Sequence, residues 1–392
     1  MKKEMVEKGS PVSGVTRRKG KSHTVLFTRR PLRPLHLCLL PFAVCFLLLF
    51  LPHALAQQDS NFGLPPPPPL KPKPSPTPRI EEMELNEGDT ISVSTTEVLL
   101  PVTVRDQSGR LVTGLKREDF RIFEDGREQP LTDLDLRQVP VDVVLMIDAS
   151  SSVAGNLEDF RRAVEEFADR LAPEDRISLV KFDDRVELIQ DWTQSRVQLR
   201  RSLRRINPGV FTRFYDALML AAREQFQTGQ RRHAIVVLTD GIDSRRGYAS
   251  LEMALGALLQ SGAGVYAISN TEIERAKKRR ELDTLLASDS SAVQFNQLRI
   301  GDLREGLKVL DASEQNLERL AELTGGRIFK PESFANLDSV YREVAEDLRS
   351  QYSIYYSPQN KARDGRFRRV RVEVRSPQLR AKTRIGYFAP RT

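Results

Sequence analysis

From Val141 onward the apolar residues fall into short unbroken runs separated by amphipathic stretches. Val141 to Ile147, Arg176 to Phe182, His233 to Thr239 and Val265 to Ile268 have the texture of strands. Leu157 to Leu171, Ser195 to Ile206, Asp216 to Gln227 and Leu251 to Leu259 place apolar residues at helical spacing. Continuously apolar strands that alternate with helices predict a mostly parallel sheet covered on both faces, which is a doubly wound α/β domain. A helical pattern at Asn316 to Leu323, a break at Gly325-Gly326, a strand at Arg327 to Phe329 and a helix at Leu337 to Leu348 extend this domain over residues 140–350.

The flanks have a different period. Between Ile91 and Val139, alternating segments such as Val98 to Val104 and Phe120 to Phe123 are separated by the turns Asp106-Gln107-Ser108-Gly109 and Glu124-Asp125-Gly126. They predict antiparallel strands, and residues 91–139 read as a small β-domain. Strand texture returns in 351–392, at Gln351 to Tyr356 and Arg369 to Val374, joined across Asp364-Gly365. The expectation is that this tail packs with 91–139, so that the α/β domain is inserted into a discontinuous β-domain.

Ahead of these domains, Leu35 to Leu51 is almost wholly apolar, follows a basic stretch, and is followed by Ala54 and Ala56 at the spacing of a leader-cleavage site. Residues 1–56 therefore read as a signal peptide cut after Ala56, with an uncleaved N-terminal anchor as the competing reading. Either way the domains are expected outside the cytoplasm: periplasmic, secreted or membrane-anchored. Thr28-Arg29-Arg30 resembles a twin-arginine signal, but Pro31 and the strongly apolar core favour ordinary secretion. Residues 57–90 are a proline-rich linker with Pro65 to Pro69 unbroken, read as a stiff spacer. Cys38 and Cys45, the only cysteines, lie in the leader, so the exported part is expected to form neither a disulfide nor a thiolate metal site.

The formal charge of +8 suggests nucleic acid until it is located. Ten of the 61 Lys and Arg but only two of the 53 Asp and Glu lie in Met1 to Pro34, leaving the remainder balanced. No nucleic-acid partner is expected, and contact with a membrane is expected only through the N-terminal anchor.

The candidate chemistry stands where the first parallel strand ends. Asp148-Ala149-Ser150-Ser151-Ser152 sets an acid and two hydroxyls at alternate positions, at the carboxyl end of a strand where open α/β sheets bind ligands. Asp240, ending the strand Ile235 to Thr239, and Thr212, in the loop before Asp216, are expected to converge there. Carboxylates and hydroxyls without imidazole or thiolate suit a hard cation, Mg2+ or Mn2+, in preference to zinc. The competing structural reading is that Ser152 and Asp240 cap helices. Asp183, Asp184 and Asp243 are read as loop or turn residues.

Asp148-x-Ser150-x-Ser152, Thr212-Arg213-Phe214-Tyr215-Asp216-Ala217 and Leu238-Thr239-Asp240-Gly241 together resemble the three segments of the metal-ion-dependent adhesion site of von Willebrand factor A domains, with agreement in order, spacing and strand context over Val141 to Ser350. The leader and flanking β-segments resemble exported bacterial proteins that carry this domain. The resemblance implies that Ser150, Ser152 and Thr212 ligate the ion, that Asp148 and Asp240 hold it directly or through water, and that a protein partner completes the shell with its own Asp or Glu. Pro208-Gly209-Val210-Phe211 depart from the small residues the family usually has before the threonine.

Enzyme readings lack their parts. Only His233 among the four histidines lies beyond the leader, so neither a Ser-His-Asp triad nor a histidine-rich zinc site can be assembled, and His233 reads as structural. Gly262-Ala263-Gly264 runs into a strand instead of following one, unlike a dinucleotide fingerprint. A magnesium-dependent phosphohydrolase using Asp148 as nucleophile would need a second carboxylate where Ser150 stands. The reading is a non-enzymatic, metal-dependent adhesion or protein-binding module, with a metal-free scaffold as the alternative. The segment Thr271 to Leu310, carrying Lys277-Lys278-Arg279-Arg280, is long for a connection in such a domain. It reads either as a lid or partner-selecting loop over the site, or as a solvated helical hairpin.

Overall fold

The computed structural model describes residues 97–135, 139–150, 156–226 and 231–391. The leader, the whole proline-rich linker, residues 91–96 and Ser152 lie outside the described residues. The described strands form three sheets. One has six strands: β5 (Val141–Asp148), β6 (Arg176–Phe182), β7 (Val186–Thr193), β8 (Arg232–Thr239), β9 (Gly264–Ser269) and β10 (Arg327–Phe329). Their order is β10-β9-β8-β5-β6-β7. All neighbours are parallel except β7, which returns antiparallel along β6 and forms one edge. All eight residues of β5 are buried, as the centre of a sheet covered on both faces requires.

Helices cover the two faces. On one, α1 (Leu157–Arg170) turns Phe160, Ala163, Val164, Phe167 and Ala168 inward at helical spacing, beside α2 (Arg196–Leu203). The last helix, α8 (Leu337–Arg349), packs beside α1, with Tyr341 lying 5.6 Å from Phe167 and 6.3 Å from Phe160 between ring centroids. The other face carries α3 (Phe214–Leu220), α4 (Leu251–Ser261) and the C-terminal end of α7 (Gln297–Leu323), through Leu317 and Leu320.

The antiparallel strands build two further sheets around one shared core. β1 (Val98–Asp106), β4 (Leu131–Asp135), β11 (Tyr352–Tyr356) and β13 (Leu379–Lys382) form one, in the order β13-β1-β11-β4. β2 (Phe120–Glu124), β3 (Arg127–Gln129), β12 (Phe367–Val374) and β14 (Gly386–Phe388) form the other, in the order β14-β12-β2-β3. β11 runs antiparallel between β1 and β4, while β12 runs antiparallel between β2 and β14, so these consecutive strands lie in different sheets and do not form a hairpin. Where the chain enters and leaves the α/β layers, buried Arg232 donates to the carbonyls of Val139 and Leu348 and to Gln351 Oε1. The guanidinium thereby satisfies backbone acceptors from both ends of the inserted segment.

The long segment after β9 is helical. α5 (Thr271–Leu286), the short α6 (Ser290–Phe295) and α7 make a hairpin, closed by Ile300, Leu303 and Leu310. Helical periodicity in the sequence marked only the final turns of α7, where the helix packs on the sheet and its apolar face is broad. Phe295 and Leu298 at the far end are 89% and 87% exposed. The near end is fixed by a polar cluster: Glu314 accepts from Thr271 at 2.7 Å and Arg275 at 2.8 Å and pairs with Lys330. Desolvation alone would raise the Glu314 carboxyl, but these partners outweigh it and hold the group at about 2, below the ordinary value of 4.5. A carboxylate depressed in this way contributes stability that is present above the ordinary pKa and is lost as pH falls through the folded value. Glu314→Gln is therefore expected to flatten the fall in melting temperature between pH 4.5 and 2. Thermal unfolding followed by circular dichroism across that range tests this; parallel curves for parent and variant would count against the cluster as the anchor.

Candidate metal centre

β5 and β8 are adjacent and parallel, so their carboxyl ends bring Asp148 and the Thr239-Asp240 pair to one rim of the sheet. Both carboxylates are buried, as are Ser150 and Thr212. Asp148 Oδ1 accepts the Ser150 N–H at 3.0 Å, and Oδ2 accepts the Thr239 hydroxyl at 2.7 Å. Thr239 Oγ1 in turn accepts the Gly241 N–H at 3.0 Å, which fixes the start of the loop beyond the strand. Asp240 Oδ1 accepts the Ile242 N–H at 3.0 Å, and its carbonyl accepts the Ser313 hydroxyl at 2.7 Å, so the base of the helical hairpin touches the site loop.

Burial raises both carboxyls. For Asp148 desolvation dominates, opposed by bonds from Ser150 and Thr239, and the charge of Asp183 adds to the rise. Asp240 is pushed up to about 7, first by desolvation and then by the charge of Asp148. Among the described residues neither carboxylate has an ion-pair partner; the Coulombic influence of Lys278 on Asp240 is a minor one. Two buried, mutually repelling carboxylates beside hydroxyl donors fit a hard divalent cation, whose charge would remove that penalty. No cluster of three or more His, Cys, Asp or Glu able to hold a metal is present among the described residues. Cation binding here therefore has to rely on serine and threonine oxygens beside the two acids.

The loop carrying Thr212 is closely constrained. Thr212 N–H donates to Ser244 Oγ and Ser244 N–H donates to the Thr212 carbonyl, both at 2.9 Å. Gly209 N–H donates to the Ala149 carbonyl at 2.8 Å, and a side chain at Gly209 would run into the Asp183 carboxylate. Asp184 accepts the Val210 and Phe211 N–H groups, each at 3.2 Å. Val210 is exposed and Phe211 is half-buried under the Arg246 guanidinium, while Thr212 is tied to Ser244 in the loop after β8. Ser152 lies outside the described residues.

Sequence reasoning passed over several contributors. Asp183 is buried and paired with Lys181 at 2.6 Å, and its charge reaches Asp148. Its signal was positional, because it follows β6 at the same carboxyl rim. Thr239 stood in the Leu238-Thr239-Asp240-Gly241 segment without a role of its own, and Ser244 was missed because an isolated hydroxyl carries no spacing signature. Asp243 accepts the Tyr215 and Arg245 N–H groups, at 3.2 and 2.7 Å, as a loop-holding residue does. His233 sits at the opposite end of β8 from Asp240, with Nδ1 2.8 Å from the Ser261 carbonyl and its ring stacked on Phe226 at 4.6 Å.

A family model described as the von Willebrand factor type A domain matches residues 143–242, the stretch that contains β5, the Thr212 loop and β8. The chain carries a von Willebrand factor type A domain. Its core is the six-stranded sheet, to which the antiparallel sheets are additional. No curated protein matches the chain. Similar solved structures include a von Willebrand factor type A protein from Catenulispora acidiphila, 14% identical, covering 65% of this chain and 51% of that one, with a TM-score of 0.41. Another is proximal thread matrix protein 1 from the mussel byssus with a zinc-occupied MIDAS motif, 17% identical, covering 58% and 50%, with a TM-score of 0.41. A third is an aerotolerance-related membrane protein from Bacteroides fragilis, 18% identical, covering 53% and 98%, with a TM-score of 0.37. The chain therefore spans about half the length of the first two structures.

Proposed function

We propose that the rim formed by Asp148, Ser150, Thr212 and Asp240, with Ser152, binds a divalent cation of the magnesium or manganese type and through it a carboxylate of a protein partner. The observation that carries this reading is the pair of buried acids at neighbouring strand ends without a cation of their own among the described residues. Serine and threonine oxygens spend no negative charge on the ion, so it remains electrophilic enough to accept an Asp or Glu from outside. The module binds and does not catalyse, and its domains work outside the cytoplasm behind the N-terminal leader. Among the described residues no helix is long and apolar enough to cross a membrane.

Isothermal calorimetry of the full chain with Mg2+ and Mn2+ tests the first half. Saturable binding is expected, and Thr212→Ala should weaken it by about tenfold, or about 1.4 kcal/mol. No heat and no magnesium-dependent rise in melting temperature in the parent would overturn the reading in favour of the metal-free scaffold.

A further inference from the structure

The loop that follows β8, Gly241 to Ser250, is held by carboxylates beneath it. Asp216 accepts the Tyr248 and Ala249 N–H groups at 2.9 and 2.6 Å, and a side chain on Gly247 would strike the same carboxylate. Asp243 holds Arg245 N–H, and Arg245 itself adopts a left-handed backbone, with φ of 52°, that a non-glycine residue rarely takes. The reciprocal Thr212–Ser244 bonds lock this loop to the Thr212 segment. A backbone held this tightly can present side chains with little ordering left to do on binding.

What it presents is basic and aromatic. Arg245 and Arg246 are exposed, Tyr248 is 76% exposed, and the Arg246 guanidinium lies 3.4 Å from the ring centroid of Phe211, the neighbour of Thr212. The acids of this loop and its neighbour, Asp184 and Asp243, are turned to backbone N–H groups. Arg245, Arg246 and Tyr248 therefore stand together on the loop tied to Thr212, and arginine and tyrosine are the residue types that dominate protein-binding hot spots.

We infer that the partner is an acidic protein segment that gives one carboxylate to the cation and at least one more to the Arg245–Arg246 flank, with Tyr248 covering its backbone. This rests on the metal-and-carboxylate reading above and specifies the partner that reading leaves open. Electrostatic complementarity of this kind sets selectivity and salt dependence, and charge reversal on the flank should be felt even with the metal saturated.

A random dodecapeptide display library, selected on the immobilised full-length chain in magnesium and eluted with EDTA, tests it. EDTA-released peptides are expected to be enriched in sequences with two or more Asp or Glu. The best of them should lose about tenfold or more in affinity for the Arg245→Glu, Arg246→Glu double variant at saturating magnesium. That variant should keep the parent's melting temperature and magnesium heat. EDTA-released peptides with a single acid, or equal affinity for parent and double variant, would overturn the flank assignment and leave the metal reading standing. Absence of any EDTA-dependent recovery would overturn both.

Discussion

Asp148→Ala is expected to abolish cation binding outright. The carboxylate is buried at the end of the central strand, and its two oxygens organise the Ser150 backbone and the Thr239 hydroxyl, so alanine removes a ligand and releases the groups that place the others. Linkage supplies the magnitude: a ligand at a hundred times its dissociation constant stabilises the folded state by about 2.7 kcal/mol. The parent should gain that much on adding magnesium, and Asp148→Ala nothing. Asp148→Asn, which retains an acceptor oxygen but carries no buried charge, should melt in EDTA at or above the parent temperature and fall behind once magnesium is present. Differential scanning calorimetry with and without magnesium reads all of these; a magnesium-dependent gain in Asp148→Ala equal to the parent's would remove Asp148 from the site.

Gly326→Ala is expected to destabilise the fold by about 3 kcal/mol or more, through backbone overlap and not through loss of a contact. A Cβ at Gly326 would lie inside the Val265 backbone, where the chain enters β10 beside β9. Neighbouring Gly325 has φ of +78° and faces the backbone of Thr383 and Arg384. β10 would have to leave the edge of the sheet, and α8, which follows it, would lose its seat. Urea unfolding monitored by far-ultraviolet circular dichroism gives the shift; an unfolding free energy within about half a kcal/mol of the parent's would show that β10 can yield.

The parallel strands were legible because strands buried on both faces have no choice but to be apolar throughout, as β5 and β8 are. β7 escaped because an edge strand is buried on one side at most, and its Val186 to Thr193 sequence alternates too weakly to announce itself. The Gly325-Gly326 pair was visible as a helix stop, whereas its second duty, letting two backbones touch, depends on Val265 and Arg384 from distant parts of the chain. At the candidate metal centre, Asp148 and Asp240 could be singled out because strand ends are predictable and acids are conspicuous there. The action of Asp183 on Asp148 and of Ser244 on Thr212 spans separations that only the folded chain reveals. The hairpin was noticed as an unusually long and charged connection, but its attachment through Glu314, Thr271 and Arg275 has no sequence period to betray it.

The antiparallel layers also carry a consequence for the order of assembly. Glu124 on β2 accepts the Tyr356 hydroxyl at 2.7 Å across a sequence separation of 232, and β1 cannot find β11 until the whole α/β portion has been made. Closing so long a loop is entropically unfavourable unless the intervening chain has already become compact. The α/β domain is thus placed to fold first and to serve as the short, rigid bridge that brings β1 to β4 within reach of β11 to β14. Refolding should accordingly show two kinetic phases, the slower one belonging to the antiparallel layers, and any partner captured at the metal rim before that phase ends would meet a domain whose base is still open.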